Sequence, residues 1–298
     1  MSAEDQALTA GDYIRHHLQN LQVGWDMSPV QSGGKASIVD FSIINIDTVF
    51  FSVVLGVVAC FVMWRAARKA TSGVPGRFQA AIELLLEMVD GQAKSIIHNE
   101  QSRKFIAPMA MFVMIWVFLM NAMDFLPVDL LPVLWQTMTS DSHAPLRFLP
   151  TADLSVPMGM AIFVLLLRFY YSIKVKGLGG WTHELVTAPF GTSKNPIAWL
   201  ILAIVNVSMQ IIEFLANTVS HGMRLFGNMY AGELVFLLIA LMGGAFVFNP
   251  GQVGFWLGAG HVLAGSIWAI FHILIVTLQA FIFMMLTLIY LGQSHDAH

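Results

Sequence analysis

Asn217-Thr-Val-Ser-His-Gly-Met-Arg-Leu-Phe-Gly-Asn-Met-Tyr-Ala-Gly-Glu233 lies inside a long apolar segment, yet it carries an arginine, a glutamate, two asparagines and a histidine. An arginine at mid-membrane costs roughly 2.5–3.5 kcal/mol on insertion scales, so charge held at this depth marks function. Gln210, Glu213, Asn217, the adjacent Ser220 and His221, Arg224 and Asn228 recur at steps of three or four, which sets them along one face of a helix. Glu233 stands nine positions beyond Arg224. At about 100° per residue that turns it to the opposite face. One helix thus shows Arg224 to one neighbour and Glu233 to another.

The composition around this stretch is that of a membrane protein. Of 298 residues, 57% are hydrophobic and 11% charged, against about 25% charged in soluble domains. Several apolar runs of membrane-spanning length predict an all-α polytopic membrane protein, and the short alternating segments of a barrel are not seen. Cys60 is the only cysteine, which excludes an intrachain disulfide and a CxxC metal or redox site. The first forty residues show no basic start followed by an apolar core, so no cleavable signal peptide is expected. Gly34-Lys35 has Pro29 where a phosphate-binding loop needs its upstream glycine. The chain is therefore not expected to bind ATP.

Taken in order, residues 1–298 read as one membrane domain. Residues 1–45 form an external amino-terminal arm, in which Tyr13, Ile14, Leu18 and Leu21 recur at the spacing of a short amphipathic helix. Spans are predicted at 46–64, 105–126 and 154–171. Between the first two, residues 65–104 form a cytoplasmic loop with an interfacial helix near Phe78 to His98. A proline-marked connection through Arg147 to Asp153 precedes the third span, and a Gly-rich loop to Pro196 follows it. Arg168, near the end of that span, is placed to snorkel. The last two segments, 197–241 and 255–291, are joined by Gly243-Gly244 and Asn249-Pro-Gly251. Arg65, Arg68, Lys69, Arg77, Lys94, Arg103, Lys104, Lys174, Lys176 and Lys194 all fall on one side, which the positive-inside rule makes cytoplasmic. The amino terminus is then outside and the carboxyl terminus inside.

The last two segments exceed what a bilayer requires. They would extend about 65 Å and 55 Å, against a hydrocarbon core of about 30 Å. Each is either broken, with Gly222, Gly227 and Gly232 as break points, or inclined at about 55–65° to the normal. A steeply tilted antiparallel hairpin is the expectation. On it, His272 lies mid-segment with Gln279 seven residues on, and the antiparallel partner brings Glu233 toward it. A Glu233–His272 pair in low dielectric would make a proton relay, because histidine titrates near neutral pH. Asp124 and Asp129 flank a proline at the outer end of the second span. Glu213, Asn217, Ser220 and His221 line the inner half of the arginine stripe. No cluster has metal-ligand spacing with enough partners, so neither metal nor cofactor is expected.

At Met223-Arg-Leu-Phe-Gly-Asn-Met-Tyr-Ala-Gly-Glu-Leu234 the sequence resembles subunit a of the bacterial F-type ATP synthase. The likeness recurs at Asn121-Ala-Met-Asp-Phe-Leu-Pro-Val-Asp-Leu-Leu-Pro132, at Tyr171-Ser-Ile-Lys-Val-Lys-Gly-Leu-Gly-Gly180 and at Ile270-Phe-His-Ile-Leu-Ile-Val-Thr-Leu-Gln-Ala-Phe-Ile-Phe283. The resemblance implies a non-catalytic stator that conducts protons through two offset half-channels against a rotating ring of c subunits. It implies as partners that ring, the b-subunit peripheral stalk, the rest of the ATP synthase and the lipid bilayer, with no nucleic acid. Arg224 matches the family's arginine facing the ring. Glu233, His272 and Gln279, with Asn228 beside them, match its outer half-channel, and Asp124 an aspartate near the outer entrance. Asn217-Thr218 departs from the basic residue and proline of related bacterial chains. The implied location is the bacterial inner membrane, with the amino terminus periplasmic.

Two other readings have distinct signatures. A secondary transporter holds intramembrane charge but shows paired repeats with broken helices, and no such repeat is visible here. A sodium-driven form of the same machine shares the whole pattern, and the Glu233–His272 pair leans toward protons.

Overall fold

The computed structural model describes residues 19–24, 42–71, 73–127, 130–140, 146–248 and 252–295. Five of its helices are long and apolar enough to cross a membrane. A two-stranded antiparallel ribbon comes first, β1 (Gln22–Gly24) with β2 (Ile43–Asn45), in which Gln22 faces Asn45. Helices follow as α1 (Ile46–Lys69), α2 (Arg77–Ile96), α3 (Glu100–Ala122), α4 (Leu130–Thr139), α5 (Ser155–Thr187), α6 (Pro196–Phe248) and α7 (Gln252–Gln293). The fold is that of an all-α polytopic membrane protein. Its chain divides into two compact units. One comprises Met1–Val58, Trp116–Val156 and Phe226–Gln279, the other Ala59–Ile115, Pro157–Leu225 and Ala280–His298.

Within the first unit, two buried carboxylates tie the ribbon to the helices. Asp47, in the first turn of α1, accepts hydrogen bonds from the backbone N–H groups of Leu21 (2.9 Å), Thr48 (2.8 Å) and Arg147 (3.0 Å). Asp153 Oδ2 accepts from the Asn20 amide (3.1 Å), the Asn45 amide (2.6 Å) and the Thr48 hydroxyl (2.9 Å), while its Oδ1 takes both the N–H and the hydroxyl of Ser155. A buried carboxylate is tolerated when its lone pairs are filled in this way. Val49, Phe50, Val53, Val57 and Phe61 of α1 are at least half exposed. Their spacing of three or four gives one apolar stripe, suited to lipid.

The two longest helices run antiparallel in each unit. In the first, Gly232 of α6 meets His272 of α7, and His261 Nδ1 donates to the Ile239 carbonyl (2.7 Å). In the second, His221 of α6 stacks on Phe283 of α7. Neither helix is interrupted, so the glycines at 222, 227 and 232 are not break points. Two of them serve close approach instead. A Cβ on Gly232 would lie 2.5 Å from His272 Cε1, and one on Gly222 would lie 2.6 Å from Met158 Sδ.

Two local expectations are revised. The glycine-rich stretch after the third span is helical: α5 continues to Thr187 and leaves helical geometry only at Gly177 (φ 73°, ψ 163°). Glycine takes positive φ at no steric cost, so one residue absorbs the kink and the helix resumes. Lys176 Nζ spans the kink to both carboxylate oxygens of Glu184 (2.8 and 2.7 Å). The connection after the second span contains the short helix α4. Tyr13, Ile14 and Leu18 of the expected amphipathic helix, like Asp129, lie outside the described residues.

Candidate functional site

In the first unit, α6, α7 and the turn that ends α3 bring four of the anticipated polar residues into pairwise contact. Asp124 lies in the 3-10 turn Met123–Phe125 that ends α3. His272 is fully buried, and its Nε2 stands 2.7 Å from Asp124 Oδ2, within ion-pair range but away from hydrogen-bond direction. Phe125, Phe236 and Trp268 surround the imidazole, with ring centroids 5.5, 5.1 and 6.0 Å away. Asn228 donates its amide to Gln279 Oε1 at 2.7 Å.

The carboxylate set against His272 is thus Asp124. Glu233 is engaged by Arg147, whose Nη2 donates to Glu233 Oε2 at 2.5 Å. Arg147 enters the sequence reading only as the start of a proline-marked connection. Its backbone N–H is anchored on Asp47 Oδ2, and its guanidinium lies 5.8 Å from the Tyr230 ring centroid. One signal was present in the sequence: Arg147 precedes Phe148-Leu149-Pro150, an apolar stretch that is itself buried. Several polar atoms in this unit are buried with no hydrogen-bond partner among the described residues: both amide atoms of Asn121, Gln279 Nε2 and both ring nitrogens of His272.

The second unit holds the other anticipated residues. Arg224 is exposed, as are Glu213 and Ser220, while His221 is buried and leaves that outward stripe. Its ring stacks on Phe283 (centroids 3.9 Å, planes 24° apart) and meets Tyr290 edge-on at 5.5 Å. Asn217 donates to Glu213 Oε1 at 3.4 Å. Arg168 does not snorkel alone at its helix end. Its Nη2 lies 3.6 Å from Glu213 Oε1 and its guanidinium 4.7 Å from the Phe214 ring centroid. Gln210 turns back to the carbonyls of Glu184 and Ala188. A polar pocket of about 420 Å³ opens here, lined by Arg168, Lys176, Glu184, Gln210 and Glu213 among others.

Within each unit, chemically competent groups are therefore set into apolar helices. The first offers a carboxylate–imidazole pair and a carboxylate–guanidinium pair, the second an exposed arginine and a polar cavity. None of these constellations contains an activated nucleophile of the kind covalent catalysis uses.

Sequence comparison gives the same direction. The profile of the family described as ATP synthase A chain matches residues 49–292. The chain is 67% identical to ATP synthase subunit a of Acidovorax sp. (strain JS42), over the full length of both. It is 63% identical to that of Paracidovorax citrulli (strain AAC00-1), again over the full length of both. With ATP synthase subunit a of Pseudomonas syringae pv. tomato, the identity is 46% over 97% of this chain and 98% of the relative. A profile match over most of the chain and identities of this size across whole sequences leave one conclusion: the chain belongs to the ATP synthase A chain family.

Proposed function

We propose that the chain is the proton-conducting stator subunit of an F-type ATP synthase and performs no catalysis itself. The observation that carries this reading is the burial of two contacts between a carboxylate and a basic side chain, Asp124–His272 and Arg147–Glu233, among apolar helices. A bilayer interior retains ionisable groups where they have partners and a task. The unpartnered polar atoms of Asn121, Gln279 and His272 offer water the two to four hydrogen bonds it needs when buried. Histidine can accept and release a proton near neutral pH. The outer half-channel passes Asp124, Glu233 and His272, with Asn228 and Gln279 beside it. The inner one passes Glu213, Asn217, Ser220 and His221.

Arg224 is the divider. It is exposed on α6, and no hydrogen bond or ion pair reaches it from the described residues. That leaves its charge available to a carboxylate on the ring of c subunits. At about 4 Å and an effective dielectric of 20, the attraction is about 4 kcal/mol, enough to hold the carboxylate ionised as it passes. Arginine stays protonated and cannot relay a proton, so it blocks a direct path between the half-channels. A proton from the outer side neutralises the ring carboxyl, the ring turns, and the proton leaves toward the cytoplasm. One charge crossing 100 mV yields about 2.3 kcal/mol, delivered here as torque. The reading includes a b-subunit stalk, the bacterial inner membrane, a periplasmic amino terminus, a cytoplasmic carboxyl terminus and a steep inclination of α6 and α7.

The test of the conducted ion uses the whole complex in sealed inverted vesicles. ATP hydrolysis acidifies the lumen in sodium-free buffer if protons are carried. A strict requirement for sodium, with no acidification in its absence, selects the sodium-driven form instead.

A further inference from the structure

Two cavities in the second unit share a wall. The larger, of about 420 Å³, is lined by Lys176, Glu184 and the half-exposed Glu213. The smaller, of about 10 Å³, is lined by Asn217, Thr218, His221 and Tyr290. That volume is at the lower limit for a single water. Only two residues line both cavities, Arg168 and Phe214. Their side chains close on each other, the guanidinium 4.7 Å from the ring centroid, and Arg168 is 13% exposed. Behind this partition, buried His221 has both ring nitrogens without a hydrogen-bond partner among the described residues. It stands one turn before Arg224 on α6.

We propose that Arg168 is a gate on the inner side of the proton path and that Glu213 is its latch. The proposal rests on the reading above that the chain conducts protons, and it assigns a role to a residue outside the path described there. The guanidinium cannot itself pass a proton, so a proton moves between the His221 cavity and the larger pocket only when the guanidinium leaves Phe214. Glu213 Oε1, 3.6 Å from Arg168 Nη2, holds it in the closed position. Loss of that half-exposed contact frees the side chain while leaving the apolar packing of α5 on α6 in place. Closed, the gate keeps the larger, polar pocket apart from the cavity lined by His221. Open, it joins them.

The test measures access, not turnover. In the whole complex in inverted vesicles, Cys60→Ala removes this chain's own thiol and Thr218→Cys places one in the small cavity. Thr218 is 8% exposed, and its hydroxyl bonds only within its own helix, to the Phe214 carbonyl. Silver ion is added at the face corresponding to the cytoplasm, and the rate at which it blocks the introduced thiol is read. Arg168→Ala and Glu213→Gln are each expected to raise that rate about fivefold, the scale of one partly exposed ion pair. Charge acting without a gate gives opposite signs: Arg168→Ala would speed the cation and Glu213→Gln would slow it. That pattern, or no change in either variant, overturns the proposal. Glu213→Gln alters an exposed side chain, so it reports even if Arg168→Ala fails to assemble. If Arg224→Ala retains pumping while both rates rise, the divider role of Arg224 fails and the gate stands.

Discussion

Arg147 Nη2 lies 2.5 Å from Glu233 Oε2 across 86 positions of sequence, with the two side chains only 9% and 12% exposed. The segment of α6 that carries Arg224 thus has its glutamate held by a loop residue that also anchors on Asp47. Removing one member of a buried pair leaves the other charge uncompensated, at a cost of roughly 3–5 kcal/mol. Arg147→Ala is therefore expected to lower sharply the yield and thermal stability of the assembled complex. Adding Glu233→Gln to it should restore much of the loss, because the orphaned charge is gone. A double-mutant cycle on thermal unfolding reads the coupling; additive losses would mean that the pair is incidental.

On the proposed function, the contact between His272 and Asp124 concerns transport more than stability. Asp124→Asn and His272→Ala each remove a titratable group from an enclosure of Phe125, Phe236 and Trp268. Positioned proton-transfer groups contribute on the order of 100-fold or more, and ATP-driven acidification should fall by about that factor with assembly intact. Acidification at the parent rate in both variants would remove the pair from the path.

Much of the fold was legible because lipid imposes simple rules. Apolar runs gave five helices, and the polar stripe from Glu213 to Asn228 stood out against its background. What escaped was tertiary partnership. His272 was expected against Glu233 because both face a hairpin partner, yet the end of α3 inserts Asp124, a choice set by packing between segments far apart in sequence. Arg147 sits in a proline-marked connection, where periodicity says nothing about direction. Arg168 looked like a snorkelling end residue, but its guanidinium meets Phe214 and Glu213 on α6 instead. His221 shares Arg224's helix but lies about 60° round it, enough to turn it inward against Phe283. Gly177 to Gly180 read as a loop because glycine is strong punctuation; one positive φ was sufficient, and the Lys176–Glu184 bridge carries the helix past it.

The arm-to-helix tether has its own test. Asp153→Ala leaves the Asn20, Asn45 and Thr48 donors without their shared acceptor. Hydrogen bonds to a charged group contribute about 1.5–3 kcal/mol each, not additively. A local loss of roughly 2 kcal/mol should speed amide exchange across Gln22–Gly24 about thirtyfold, while exchange in α3 and α6 stays unchanged. Unaltered exchange in the strand would show that the arm is held by other contacts.

The central claim is that Arg224 keeps two half-channels apart while favouring an ionised carboxylate on the ring. Its most direct test is Arg224→Ala in the whole complex, reconstituted in sealed vesicles. ATP-driven acidification is measured first, and passive proton leak after the catalytic head is stripped away. The account predicts that coupled pumping disappears, that the complex still assembles, and that leak through the exposed membrane sector rises. Pumping near the parent level would contradict it and make the arginine a structural residue.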